Sequence, residues 1–296
     1  MTGGAKANKL SSSWVNYMYL APAILLTSLF FITSIGYTIY ISFYEYDGFS
    51  PKTFVGWENY SYLFMDPNFR ISVMNTIIWV VCSLVISLVL PLLFAILIKK
   101  SSWLTGFKNI FYFPTALSAT VGGLIIASML SVYGIPQIFG LIGWDNLVSD
   151  WLAIPYVNTF IMIAMGSWQG IGLNMLLFIS GLNNIPSSPI EAAKIEGASV
   201  YNMYTKVIFP FLKPTTVVVL LMSLVNSFKV FDSIWVMTKG GPYRTSETLA
   251  LTMYQESFIR NQFGVGSAVA VILTVVILIV SYFNLKNTFG DNDLTA

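Results

Sequence analysis

Six apolar runs constrain this chain more than any other feature of its sequence. They cover residues 17–43, 71–98, 109–129, 156–182, 207–237 and 264–283. Each holds twenty residues or more, the length a helix needs to cross roughly 30 Å of hydrocarbon at about 1.5 Å per residue. Inside hydrocarbon every backbone N–H and C=O must find a partner within the chain, so such runs must be helical. Hydrophobic residues make up 56 % of the 296 residues and charged residues 9 %, whereas soluble domains are about 25 % charged. The expected fold class is therefore all-α, a polytopic membrane protein of six transmembrane helices. One transmembrane domain over 1–296 leaves no room for a second large soluble one. The first run is too long for a signal-peptide core and lacks a small-residue cleavage site, so it is expected to be retained.

Basic residues orient the spans. Lys6, Lys9, Lys99, Lys100, Lys108, Lys194, Lys206, Lys213 and Lys286 fall on one side. The other side carries Lys52, Arg70, Lys239, Arg244 and Arg260, interspersed with acids. The positive-inside rule puts both termini in the cytoplasm, and an even number of spans agrees. Trp14, Trp57, Trp103, Trp144 and Trp151 sit near span ends, where interfacial aromatic residues belong. The net charge of +2 is scattered over short loops and points to no nucleic acid. The chain has no histidine, a single cysteine (Cys82) and no GxxxxGK[ST] sequence. Histidine-based zinc sites, Ser-His-Asp catalysis, an intrachain disulfide and nucleotide binding on a P-loop are all excluded. No cofactor, metal or covalent chemistry is implied, and any uphill transport must draw on an ion gradient or on another polypeptide.

Polar residues inside spans are costly and are functional candidates by default. They concentrate in two spans. The fourth carries Trp168, Gln169 and Asn174 beside Gly166, Gly170 and Gly172, and so many glycines predict a helix weak enough to open its backbone to a ligand. The fifth carries Ser223, Asn226, Ser227, Lys229 and Asp232, with Lys229 and Asp232 expected to pair. Together they would line one polar cavity near the midplane. Amides that answer hydroxyls and an aromatic ring that stacks on an apolar ring face suit a sugar. The competing reading is interhelical hydrogen-bond glue, worth about 0.6 kcal/mol per contact. Cys82 reads as a small core residue, and Asn75 and Thr76 receive no role.

The longest polar interruption in the second half of the chain is SSPIEAAKIEGASVYNMYTKVIFPFLKP, from Ser187 to Pro214. Ser188 is predicted as the N-cap of a short helix, with Pro189 at its first position and Glu191 at its third. Ala193 and Gly197 would share a small face open to close approach by another surface. By pattern alone the segment is an interhelical loop with one helical turn. Its residues say more: Glu191, Ala192, Ala193, Gly197 and then Ile208-Phe209-Pro210 stand where the EAA motif of ABC-importer permeases places them, with Glu196 instead of the usual Asp before the glycine. FVGWENYSYLF (54–64), WLAIP (151–155), SGLNNIP (180–186) and SFKVFDSIWVMTKGGPYRTSETLALTMYQESFIRNQFGVGSA (227–268) likewise resemble stretches of the carbohydrate-uptake permeases of that family. The third span reads GGLIIASML, without the tryptophan that many relatives carry there.

The resemblance covers nearly the whole chain after about Tyr17. It implies a subunit that catalyses no covalent chemistry and works with ATP-binding subunits, a second permease subunit and an extracytoplasmic solute-binding protein. Its place would be the bacterial inner membrane, among lipid. The cytoplasmic loop 183–206 would dock into the ATPase through Glu191, Ala192, Ala193, Glu196 and Gly197. The sugar would be met by Gln169, Gly170, Leu173, Asn226, Ser227 and Lys229. Three rivals remain at this level. A secondary transporter or channel would rest on Lys229 and Asp232, a membrane-embedded enzyme lacks catalytic material, and the same importer could carry an amino acid or polyamine.

Overall fold

The computed structural model describes residues 9–99, 101 and 103–289, with side-chain surroundings from Tyr17 to Lys286. Lys6, Lys100 and the acidic tail lie outside the described residues. Among the described residues, six helical stretches are long and apolar enough to cross a membrane: Tyr17–Ile41, Pro67–Ile98, Ala119–Leu141, Val157–Asn183, Val200–Phe228 and Phe263–Lys286. The first is α1 (Lys9–Thr27) and α2 (Thr33–Ile41), joined through a π-helical turn at Ser28–Ile32. A two-stranded antiparallel hairpin follows, β1 (Tyr44–Glu45) with β2 (Thr53–Phe54). The short α3 (Glu58–Met65) then fixes the hairpin: Asn59 Nδ2 donates to the carbonyls of Ser42 (2.9 Å) and Tyr44 (3.0 Å), and Tyr60 bonds Ser42 through their hydroxyls at 2.8 Å.

The second span, α4 (Pro67–Ile98), is the central helix. Its start is written in Asp66-Pro67: the Asp66 carboxylate accepts from the Asn68 N–H at 2.9 Å, and Pro67 fills the first position, where no N–H is needed. The buried positions of α4 include Ser72, Asn75, Thr76, Trp79, Ser83, Ser87, Pro91 and Ala95, which recur every three or four residues. Met74, Ile77, Val81, Val85, Val89 and Leu93 form the opposite, exposed face. A soluble helix hides its apolar stripe, but in lipid the polar and small stripe goes inward.

The third predicted span is not one helix. α5 (Leu104–Tyr112) tightens into a 3-10 turn at Phe113–Ala116, and α6 (Ala119–Leu130) starts afresh. Pro114 lies in that turn, and the Ser118 hydroxyl caps α6 by accepting from the Val121 N–H at 3.2 Å. The membrane-length stretch runs on through α7 (Ile135–Leu141). The fourth span, α8 (Val157–Asn183), is continuous. After α9 (Ser187–Ile195), α10 (Val200–Asn202) and a π-helical turn at Met203–Ile208, the fifth span is α11 (Phe209–Phe228). It stops there, rather than running to Met237. The chain breaks at residues 229–231 and resumes as α12 (Asp232–Met237), and the Val230 carbonyl freed by the break accepts from Thr248 Oγ1 at 3.2 Å.

The segment between the last two predicted spans, from Lys239 to Gln262, folds inward rather than looping out. Ser246 to Thr252 is buried, and α13 (Leu249–Tyr254) and a π-helical turn at Gln255–Ile259 lead to the last span, α14 (Phe263–Phe289). Asn75 and Thr76, given no role by sequence, pin it down. Asn75 Nδ2 donates to the carbonyls of Thr245 (2.8 Å) and Glu247 (2.9 Å), and the Leu249 N–H donates to Thr76 Oγ1 at 3.0 Å. Buried apolar residues gather in three clusters along α4. One joins it to α11, α13 and α14, one to α8 and the start of α11, and one to α8, α12 and α13. Cys82 packs at the edge of the third cluster.

Candidate functional site

A cavity of about 320 Å³ opens between α4, α8 and α11 at about the middle of α4 and α8. Trp79, Ser83 and Ser87 come from α4; Gly166, Ser167, Gln169, Gly170, Leu173 and Asn174 from α8; and Met222, Ser223, Asn226 and Ser227 from α11. Ala119, Val230 and Ser233 complete the wall. Five of the six residues expected to meet solute are therefore brought together: Gln169, Gly170, Leu173, Asn226 and Ser227. Lys229 is not among them. It caps the end of α11, exposed and outside the wall, and it makes no ion pair with Asp232. The reason is the break at 229–231, which puts the two side chains on separate elements and cancels their i, i+3 spacing.

Several polar residues of the cavity are already engaged. Asn174 Nδ2 donates to the Ser87 carbonyl (3.3 Å) and to Ser223 Oγ (3.5 Å), which ties α8 to α4 and α11. Gln169 Nε2 donates to the carbonyls of Leu117 (3.3 Å) and Ser118 (3.4 Å), and the Gln169 carbonyl accepts from Thr115 Oγ1 at 2.9 Å. Gln169 thus props the break before α6. Ser227 Oγ donates to the Ser223 carbonyl at 2.6 Å. Two buried polar atoms of the wall lack any partner, the indole Nε1 of Trp79 and Oγ of Ser167. None of the lining residues is charged.

The helix α8 is continuous through its glycines, and of Gly170 and Gly172 only the latter serves close approach. A Cβ on Gly172 would stand 2.2 Å from the Phe111 carbonyl oxygen, whereas one on Gly170 would meet nothing within 4 Å. Gly166 lies against the Trp79 ring, which a Cβ would touch at 3.7 Å. Sequence reasoning missed the α4 wall, although its signal was present: polar residues at 72, 75, 76, 79, 83 and 87 make one face of an otherwise apolar span.

The second constellation is α9 and the turn after it. The helix begins two residues earlier than the predicted cap requires. Pro186 flanks it, Ser188 makes no cap bond, and Pro189 sits in the first turn, where its missing N–H costs nothing. The end is more specific. The Ala198 N–H reaches the Ala193 carbonyl at 2.9 Å and the Gly197 N–H the Lys194 carbonyl at 3.1 Å, with Gly197 at φ +71°. This is a Schellman closure, which needs the left-handed region at that one position. Ser199 then caps α10, accepting from the Asn202 N–H at 3.3 Å. Ala193 does not share an outward face with Gly197. It is buried, and α9 packs on the Met203–Ile208 turn. Glu191, Ala192, Ile195, Glu196, Val200 and Tyr201 face outward. Lys99 Nζ donates to the Leu182 carbonyl at 2.8 Å and closes the C-terminal end of α8 at this side of the protein.

At the opposite end, Arg244 grips the buried Glu247 with two nitrogens, one at 2.6 Å, and Thr252 Oγ1 donates to the same carboxylate at 2.7 Å. The equally buried Glu256 pairs with Arg260 at 2.6 Å, yet burial pushes its carboxyl above the ordinary carboxylate range. Beside it a hollow of about 540 Å³ is lined by Glu45, Asp47, Glu58, Arg260 and their neighbours. Asp47 is held at about 2 by N–H donors from Ser50 and Phe49.

A bundle of membrane-length helices around an uncharged polar cavity, with an exposed structured turn at one end, defines a multi-pass transport subunit rather than an enzyme. Residues 68–289 match the family described as binding-protein-dependent transport system inner membrane component. A probable ABC transporter permease of Pyrococcus horikoshii is 34 % identical over 89 % of this chain and 91 % of its own. The arabinooligosaccharides transport system permease AraP of Bacillus subtilis is 31 % identical over 91 % of this chain and 87 % of its own. The fold is also that of a chain in a bacterial ABC transporter involved in importing the acidic polysaccharide alginate, with TM-score 0.81, 21 % identity, and 94 % and 96 % of the two chains covered. A second structure of such an alginate transporter, in complex with its alginate pentasaccharide-bound periplasmic protein, matches at TM-score 0.80, 22 % identity, and 93 % and 94 % coverage. The chain belongs to this family of ABC transporter permeases.

Proposed function

We propose that this chain is the permease subunit of an ATP-driven, binding-protein-dependent carbohydrate importer in a bacterial plasma membrane. The observation that carries the cargo assignment is the mid-depth cavity, whose wall is built of hydroxyls, amides, an indole and a leucine without a charged group. That chemistry suits a polyol, and it accords with the arabinooligosaccharide transport named for a relative. Gln169, Gly170, Leu173, Asn226 and Ser227 are the proposed contacts, and Lys229 leaves the set.

The exposed residues of α9 and its closure, Glu191, Ala192, Glu196 and Gly197, form the proposed seat of an ATP-binding subunit, with Ile195, Val200 and Tyr201 as apolar contacts around it. Ala193 acts from inside by holding α9 on the chain's own π-helical turn. The Lys-rich end that carries Lys99, Lys194, Lys206 and Lys213 lies in the cytoplasm, as do both termini. The opposite end, with the hairpin and the folded segment 239–262, meets the solute-binding protein. A second permease subunit closes the path. ATPase closure moves α9 as a rigid piece, and rocking of the spans exposes the cavity to one side and then the other.

Isolation of the tagged chain from its membrane in mild detergent should bring down an ATPase and a second permease chain, and the reconstituted complex should move sugar only with ATP. Asn226→Ala should slow uptake with the complex intact. Recovery of the chain alone, still transporting without ATP, would reverse the assignment to an ion-coupled carrier.

A further inference from the structure

We infer that a phospholipid seats between the first and last spans, with its phosphate on Lys52 and the Tyr37 hydroxyl and one acyl chain in the crevice beside them. This needs only that the spans lie in a bilayer and does not rest on the importer reading. The crevice has a volume of about 290 Å³ and lies where α2 packs on α14. Tyr37, Thr38 and Ile41 line it from the end of α2, and Gly266, Ser267 and Ala270 from the start of α14. Both are span ends on the side away from α9, so the crevice falls at the level where headgroups give way to acyl chains.

Three polar groups around the crevice are left over by the chain. Lys52 Nζ lies 4.9, 5.5 and 5.1 Å from the ring centres of Tyr37, Tyr40 and Tyr46, and it donates to the Tyr37 hydroxyl at 3.1 Å. It forms no ion pair among the described residues. The hairpin acid Asp47 is occupied by the N–H groups of Phe49 and Ser50 and by the Ser50 hydroxyl. An ammonium has three N–H donors, and a phenol that accepts one of them keeps its own proton to donate. Lys52 and Tyr37 can therefore grip one phosphate together, at the edge of a crevice that the Tyr37 and Tyr46 rings line. Ser257 is the third group. It is 8 % exposed, lines the crevice, and lies where a Cβ on Gly266 would strike its Oγ. A serine on a helical turn ordinarily bonds back to the carbonyl four residues earlier, as Ser72 does. The Ser257 hydroxyl has no partner in the chain and, unlike that of Ser167, is not sealed from the surface. An ester carbonyl in the crevice answers it. Cation, free hydroxyl and apolar slot thus match the phosphate, ester and chain of one molecule. A span of a second subunit would fill the slot but leave Lys52 and Tyr37 unanswered.

The test uses the full chain purified from its membrane with the partners it holds, in micelles of an uncharged maltoside detergent. The probe is a phosphatidylglycerol with a diazirine in one acyl chain, and crosslinked peptides are mapped by mass. Adducts within 37–41 and 263–270 should exceed those on the exposed face of α4, residues 74–93, several-fold. Excess unlabelled dioleoyl phosphatidylglycerol should displace them, and dioleoylglycerol, which has the chains without the phosphate, should not. Lys52→Gln should lower the crevice adducts about fivefold, the worth of one lysine at a membrane surface, and leave those on α4 unchanged. Ala270→Phe fills the slot and should abolish the crevice adducts with Lys52 still in place. Crevice adducts no more frequent than those on α4, equal displacement by dioleoylglycerol, or an unchanged yield in either variant overturns the site. Adducts that form only once the chain is stripped of its partners assign the joint to a second subunit and overturn it as well.

Discussion

Gly170 and Gly172 are two residues apart on α8, and alanine should act on them with opposite sign. At Gly172 the new Cβ would stand 2.2 Å from the Phe111 carbonyl oxygen and 2.7 Å from the Phe111 carbonyl carbon and the Tyr112 Cα. All three are backbone atoms, so no side chain can rotate away, and α5 must back off α8 by about 1 Å to restore contact distance. Forcing an extra carbon into a packed site typically costs about 1–3 kcal/mol, and a backbone neighbour puts this site at the upper end. At Gly170 nothing lies within 4 Å. Both alanines gain helix propensity, about 1 kcal/mol in water and less where the unfolded reference is already helical in a micelle. That gain is common to the two sites, so the difference between them isolates the clash, at about 3 kcal/mol. Reversible unfolding in mixed detergent micelles, read by tryptophan fluorescence, measures it. A difference below about 1 kcal/mol, or Gly170→Ala as the weaker of the two, would refute the reasoning. Gly172→Ala should also disturb uptake, because the displaced segment carries Thr115 and Leu117, which hold Gln169.

Further outcomes follow from other sites. Gly197 has open space around it but φ +71°, so Gly197→Ala should strain the closure by about 1–2 kcal/mol. It should lower uptake per ATP hydrolysed, and Gly197→Asn, which tolerates the left-handed region, should recover part of the loss. Glu247→Ala removes the two-nitrogen partner of Arg244 and should destabilise the folded segment 239–262 by about 3 kcal/mol, seen as faster hydrogen exchange at α13. Glu256 keeps its proton in the folded protein over a range where the unfolded chain has lost it. Stability should therefore fall as pH rises from the ordinary value near 4.5 through the raised one, and Glu256→Gln should flatten that slope in unfolding measured across pH 4.5–7. Lys229→Gln should leave the uptake rate unchanged, in contrast to Asn226→Ala.

The sequence by itself determined what the bilayer enforces. A backbone in lipid must bond within its own segment, so six apolar runs meant six spans. Local chemistry was also legible where it is self-contained. Pro189 stands in the first turn of the short helix α9, and the intramembrane polar residues Gln169, Asn226 and Ser227 share one wall with Gly170 and Leu173. Tertiary structure decided everything that depends on a neighbour. Whether Asn174 and Gln169 meet solute or brace helices turned on Ser87, Ser223 and the break before α6. Lys229 lost its expected partner because α11 ends at Phe228, and Ala193 turned inward because the Met203–Ile208 turn covers it. Trp79 and Ser167 look like any core residues in sequence. Only the packed helices reveal that their polar atoms are buried without a partner in the chain, because hydrogen-bond satisfaction belongs to a pair of groups and not to a residue.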